Sequence, residues 1–287
     1  MIDMVASEVP VLVGYDGSLS AATAIQAAAR LVPGAAAHVV YLWEPPYDFP
    51  ELRHRLRSEA ETVDELSEAL EREGLAEARR VAALGVAVAE PAGWPAQPLV
   101  ERCFGGVGYQ FARLAEQHSS AMVVVGARGL SGLKAMLGSV SDLVLHVSPV
   151  PVLVVPHPLT TAEWAAASEG PVVVGDDGSA ASADARARAS EIFVGRRMIR
   201  VRVESGDDDD VDVTGADIVT AARRGRGAHG IADALCGCAR QHHAGVIVVG
   251  SSGRSAGPKT LLGNVAKAVA HRAQRPVLIV PTSERAT

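Results

Sequence analysis

The chain has 287 residues, 48% of them apolar and 21% charged, which suits a globular protein with room for two ordinary domains. Aromatic residues make up only 4%, so a core must be built from Val, Leu, Ile and Ala, which disfavours an aromatic-rich β-sandwich and favours buried parallel strands. Net charge is −6, with 11 Lys and Arg against 18 Asp and Glu in residues 1–156 and 16 against 15 in residues 157–287; neither part has the basic excess that nucleic acid binding needs.

The N-terminal MIDMVASEVP has no basic segment followed by an apolar one, and no run reaches the roughly 18 apolar residues of a membrane span. A cytoplasmic protein with no membrane partner is expected. Its three cysteines, Cys103, Cys236 and Cys238, then read as reduced apolar fillers.

In chain order, a strand is predicted at Pro10–Val13, followed by YDGS and a helix from about Ser20 to Leu31 that Pro33-Gly34 stops. A second strand is predicted at His38–Trp43. Residues 59–84 carry Val63, Leu66 and Leu70 on one stripe, as an amphipathic helix lying on a sheet would. Further strands are predicted at Val86–Glu90, Met122–Val125 and Val152–Val155, with GARGLSGLKAMLGS (residues 126–139) and the helix SVSDLVLHV (139–147) between the last two.

The second half repeats the first. VLVGYDGS (11–18) matches VVVGDDGS (172–179), MVVVGARG (122–129) matches VIVVGSSG (246–253), and SPVPVLVVP (148–156) matches AQRPVLIVP (273–281). The offset drops from 161 at Asp16/Asp177 to 124 at Gly126/Gly250, so the second copy lacks 37 residues between its first strand and its glycine loop. RVRVES runs through the acidic DDDD (207–210), read as a solvated loop, to ADIVTAA with no room for the amphipathic helix. The expected organisation is a domain at 1–156, a linker at 157–170 in which Trp164 packs between domains, and a shortened domain at 171–287. Each domain is expected to be α/β, with its own doubly wound, Rossmann-like, five-stranded parallel sheet in the order 3-2-1-4-5. The shortened domain should have a thin cover on one sheet face, offset by packing against the other domain.

In such a sheet the order reverses between strands one and four, and ligands bind there beyond the carboxyl ends. Asp16-Gly17-Ser18 and Gly126–Gly138 should therefore meet in one crevice although far apart in sequence. Taken singly, DGS is a helix cap and the glycines are a tight turn; together, and in duplicate, they point to a nucleotide. Gly126 and Gly129 would let the main chain approach a ligand, Gly138 opens a helix whose free N–H groups favour phosphate, and Ser139 and Ser141 add hydroxyls. Asp16 suits ribose hydroxyls or an adenine edge rather than a phosphate. GRSAGPKT (253–260) is not a P-loop: only three residues separate Gly253 from Gly257, and Pro258 stands between Gly257 and Lys259 and removes an N–H.

These motifs resemble the universal stress protein superfamily in its tandem form, in the branch that binds ATP. The resemblance rests on an Asp just after strand one, on Gly-x2-Gly, nine intervening residues and then Gly-Ser or Gly-Thr, and on a PVLVVP-like fifth strand. It implies that Gly14, Tyr15, Asp16 and Leu42 border the nucleoside, and that Gly126, Gly129, Gly138, Ser139, Val140 and Ser141 hold ribose and phosphates. In the second copy the matching positions are Gly175, Asp176, Asp177, Val203, Gly250, Gly253, Gly263, Asn264, Val265 and Ala266.

Both copies depart from the family pattern. The first spaces Gly129 and Gly138 by eight residues rather than nine, and the second reads GNVA where the first reads GSVS, losing both hydroxyls. Asp176 in place of Tyr15 adds negative charge, so the first copy ranks as the ATP site and the second as weakened. The expected role is a nucleotide-dependent regulator of the stress response, with or without Mg2+ beside the ATP and with little or no turnover. No general base is placed beside the glycine loops, and His146 and His271 read as ordinary histidines. The alternatives are an interaction module with two decayed sites and, on fold analogy alone, an ATP hydrolase. The apolar fifth strands need cover, either from each other within one chain or in a homodimer.

Overall fold

The computed structural model describes residues 9–58, 60–127, 139–204, 218–223, 225–252 and 262–282. The first half runs β1 (Pro10–Gly14), α1 (Leu19–Leu31), β2 (Ala36–Trp43), α2 (Pro50–Arg57), α3 (Val63–Ala89), β3 (Ala96–Arg102), α4 (Val107–Gln117), β4 (Met122–Gly126), α5 (Ser139–Val147) and β5 (Val152–Val155). Helix α6 (Thr161–Glu169) links it to β6 (Val172–Gly175), α7 (Ala180–Ile192), β7 (Met198–Glu204), β8 (Ile218–Ala222), α8 (Gly227–Gln241), β9 (Val246–Gly250), α9 (Asn264–Arg272) and β10 (Val277–Val280). The run at 207–210 and the false P-loop at 253–260 lie outside the described residues.

The strands form one sheet rather than two, in the order β3-β2-β1-β4-β5-β10-β9-β6-β7-β8. Each half keeps the 3-2-1-4-5 order, and all its internal pairs are parallel. The two fifth strands close the gap by pairing antiparallel, Val277 against Val154 and Leu278 against Leu153. Each is a continuous apolar run, buried along its whole length, and satisfies the free edge of the other.

Alternation along the strands divides the core. Val11, Val13, Val172 and Val174 face a layer that includes α1, α6 and α7, while Leu12, Val173 and Ile247 face α4, α5, α8 and α9. Helix α6 bridges the halves. The Arg30 guanidinium of α1 lies 4.8 Å from the centre of the Trp164 ring, and Arg196 donates to the carbonyls of Arg30, Ala167, Ser168 and Gly170 at 2.7–3.0 Å. Trp164 thus packs between the halves. The cysteines are free and buried, and burial pushes the Cys236 thiol up to about 11.

Two expectations change. Val86–Glu90 is not a strand but spans the end of α3 and its C-cap; the third strand follows at Ala96–Arg102. Thr62 starts α3 with a capping box, its hydroxyl accepting the Glu65 amide while the Glu65 carboxylate accepts the Thr62 amide. Ala78, Ala82, Gly85 and Ala89, at helical spacing, carry the helix on over the sheet. The halves also do not fold over the thin cover of the second. They join edge to edge, and β7 and β8 lie at the far end of the sheet from that seam. There only 13 residues (205–217) link the strands, against 52 (44–95) between β2 and β3.

Candidate functional site at the first-half switch point

Strand β1 ends in a tight turn built by its own sequence. The Tyr15 amide still donates to Val40, extending the ladder, and then Asp16 Oδ1 accepts the Ser18 amide at 3.0 Å. Gly17 follows at φ +81°, a conformation that an L side chain rarely adopts. The Ser18 hydroxyl caps α1 by accepting the Ala21 amide at 3.1 Å. The turn therefore fixes Asp16 at the carboxyl end of the strand.

Strand β4 ends beside it, and its glycine serves packing as well as any ligand. A Cβ on Gly126 would sit 2.7 Å from the Ser20 carbonyl oxygen, so only glycine lets the first turn of α1 lie this close. Ser20 Oγ donates to the Ala127 carbonyl at 2.7 Å, and Ser141 Oγ, from the start of α5, donates to the Gly126 carbonyl at 2.8 Å. The second half repeats the contact, with a Cβ on Gly250 falling 2.9 Å from the Ala181 carbonyl.

Between these two strand ends lies a crevice of about 200 Å3, with Asp16 on one wall and Gly126, Val140 and Ser141 on the other. Gly14, Tyr15 and Leu42 line it too, so the residues expected from β1, β2, β4 and the start of α5 come together. Gly129, Gly138 and Gly253 lie outside the described residues, as does the side chain of Ser139. Several lining residues were not read from the sequence, among them Val40, Tyr41, Val107 and Phe111. Two signals could have found them: Val40 shares the face of Leu42 by strand alternation, and Val107 and Phe111 are one helical turn apart. The Phe111 ring closes the floor, since a Cβ on Gly14 would come 2.9 Å from its tip.

The crevice is apolar at its base and acidic at one rim. Burial, and then the Asp16 charge, raise the Tyr15 phenol above its ordinary pKa; burial, then Glu77 and Asp16, do the same for Tyr41. Both phenols are hydroxyl donors at neutral pH. Negative potential on this side suits a neutral, hydroxyl-bearing group better than a phosphate, which would belong toward the start of α5.

The second half builds its turn differently. Asp177 Oδ1 accepts both the amide and the hydroxyl of Ser179, while Asp176 Oδ1 accepts the Gly178 amide. The Asp176 carboxylate also pairs with Arg200 through Nε and Nη2. Burial works against its ionisation, but the Gly178 amide and the Arg200 guanidinium, with Arg202 nearby, hold its pKa below the ordinary value. Gly263 caps α9, whose first residues are Asn264 and Val265; Ala266 is buried. Gly175 is packed by Leu235, the counterpart of Phe111, and Val203 packs against the α8 side of the sheet.

Two solved structures similar to this chain over most of its length share this architecture. A universal stress protein from Archaeoglobus fulgidus DSM 4304 is similar over 96% of this chain and 99% of its own, at 21% identity and a TM-score of 0.65. A functionally unknown protein of Pseudomonas aeruginosa PAO1 is similar over 97% of this chain and 94% of its own, at 13% identity and a TM-score of 0.56. A smaller universal stress protein from Archaeoglobus fulgidus, solved in complex with dAMP, covers 51% of this chain and 96% of its own, at 19% identity and a TM-score of 0.35. The sequence model of the universal stress protein family matches residues 10–156 and 199–281. The chain belongs to the universal stress protein family, in a tandem form.

Proposed function

We propose that the first-half crevice binds ATP and that occupancy sets the conformation or partner choice of a stress-response regulator with little or no catalytic turnover. One observation carries this reading: Asp16 and a wall formed by Gly126, Val140 and Ser141 share a single crevice at the switch point, above an apolar slot formed by Val40, Leu42 and Phe111. The slot suits a purine, Asp16 the ribose hydroxyls, and the start of α5, with Ser139 and Val140, the phosphates; Gly129 and Gly138 are assigned to the same ligand from the sequence alone. The Ser141 proton is committed to the Gly126 carbonyl, so this residue shapes the wall and offers a ligand only its lone pairs. Among the described residues no three His, Cys, Asp or Glu side chains converge as a metal would need, so any Mg2+ would ride on the phosphates. The second half, with Asp176 for Tyr15 and Asn264 and Ala266 for the two serines, is the weaker site, which keeps Asp177, Gly250, Gly263 and Val265.

Calorimetric titration of full-length, nucleotide-stripped protein with ATP tests this. We expect nearer one site than two per chain, and a Kd about tenfold or more weaker in Asp16→Ala, the scale of one lost hydrogen bond to a charged group. Two equal sites would overturn the ranking of the halves, and no binding at all would overturn the ligand.

A further inference from the structure

The sheet register gives each position of the first half a counterpart in the second. Val13 pairs with Val39 and Val174 with Arg200, so Val39 corresponds to Arg200, Tyr41 to Arg202 and Tyr15 to Asp176. In the first half these positions lie under α3, so closely that a Cβ on Gly85 would fall 2.5 Å from Val39 and 2.8 Å from the Tyr15 ring. In the second half the 13 residues between β7 and β8 cannot supply a helix like the 27-residue α3. The corresponding face holds instead a cavity of about 200 Å3 lined by Asp176, Ser182, Arg186 and Arg200, with Arg202 exposed beside it.

Parallel sheets in α/β folds are covered on both faces, and this part of the sheet has exchanged apolar residues for arginines. Arg200 is held in place by Asp176, while Arg186 and Arg202 make no ion pair among the described residues. Apolar surface remains beside them at Met198 and Ile218, both half-buried. Among the described side chains this face presents the Arg186, Arg200 and Arg202 guanidiniums, the Asp176 carboxylate and flanking apolar groups, which complements a helix that presents carboxylates and a few apolar residues. Arginine's fork recognises carboxylates through paired N–H donors.

We propose that this face is a docking surface for an acidic amphipathic helix of a partner protein, which takes the place that α3 fills in the first half. It lies on the α7 side of the sheet, whereas the first-half crevice is floored by α4, and the partner's binding does not depend on nucleotide in that first-half crevice.

The test is fluorescence anisotropy with the full-length chain and two labelled helical peptides of about 20 residues. They share one leucine stripe and carry Glu in one and Lys in the other at the flanking positions. We expect saturable binding of the Glu peptide only, weakened by salt and by at least about tenfold in the double variant Arg186→Ala/Arg202→Ala. Both arginines are exposed, so an unchanged melting temperature would show that the variant is folded. Absence of binding, equal binding of the Lys peptide, or binding indifferent to the double variant would each overturn the proposal. So would binding that appears only after Asp207–Asp210 are replaced by Asn, because the chain's own acidic run would then be the occupant. A self-association in analytical ultracentrifugation that the double variant abolishes, without peptide binding, would assign the face to a second copy and equally overturn it.

Discussion

At the scale of single residues, Gly126 shows how a site glycine can be required by packing. Gly126→Val would drive side-chain atoms into the Ser20 backbone and force α1 away from β4. We expect a loss of about 1–3 kcal/mol in chemical denaturation even without nucleotide. Asp176 offers a contrasting test through pH. Its folded pKa is depressed, so its contribution to stability is complete above its unfolded value, about 3.9, and is lost as pH falls through the folded value. Asp176→Asn should therefore be less stable than the parent at neutral pH, and the gap should close on acidification below about pH 4 in denaturation curves measured across that range.

Elements were legible in the sequence wherever one period dominated. The apolar runs at Val11, Met122 and their repeats could be little else than central strands, and those at Val152 and Val277 read as edge strands in need of cover. The error fell where two readings competed. GVAVAEP looks like a short strand between Gly and Pro, yet Ala82, Gly85 and Ala89 continue the stripe of α3, and small residues can serve either element. The true third strand was missed because AQPLVER holds a proline and charges, which an edge strand tolerates. The site was legible as two motifs, since Asp16 and Gly126 follow central strands, but its apolar slot was not, because Phe111 reaches it only through the placement of α4. The seam between fifth strands is likewise a matter of tertiary pairing. Val154 is 1% exposed there, so Val154→Lys would bury an ammonium with no partner and should cost about 3 kcal/mol or more, read as a lower denaturant midpoint.

For the whole molecule, a single sheet and a small polar clamp hold the halves in register. Arg196 gathers carbonyls from α1, α6 and Gly170, joining backbone positions as far apart as Arg30 and Gly170. Burial lowers its pKa, but the guanidinium stays charged at any pH of interest. Arg196→Ala should lower stability by about 1–3 kcal/mol by leaving some of these carbonyls unsatisfied, and should hasten proteolytic cleavage within residues 157–170. The antiparallel meeting of β5 and β10 has a further consequence. Because the parallel strands of one half run opposite to those of the other, their carboxyl ends emerge at opposite poles, and a ligand at one pole cannot touch the other. In a pair of identical subunits every substitution occurs twice; covalent fusion releases each pole to diverge, one conserving a pocket while the other sheds a helix and displays cations.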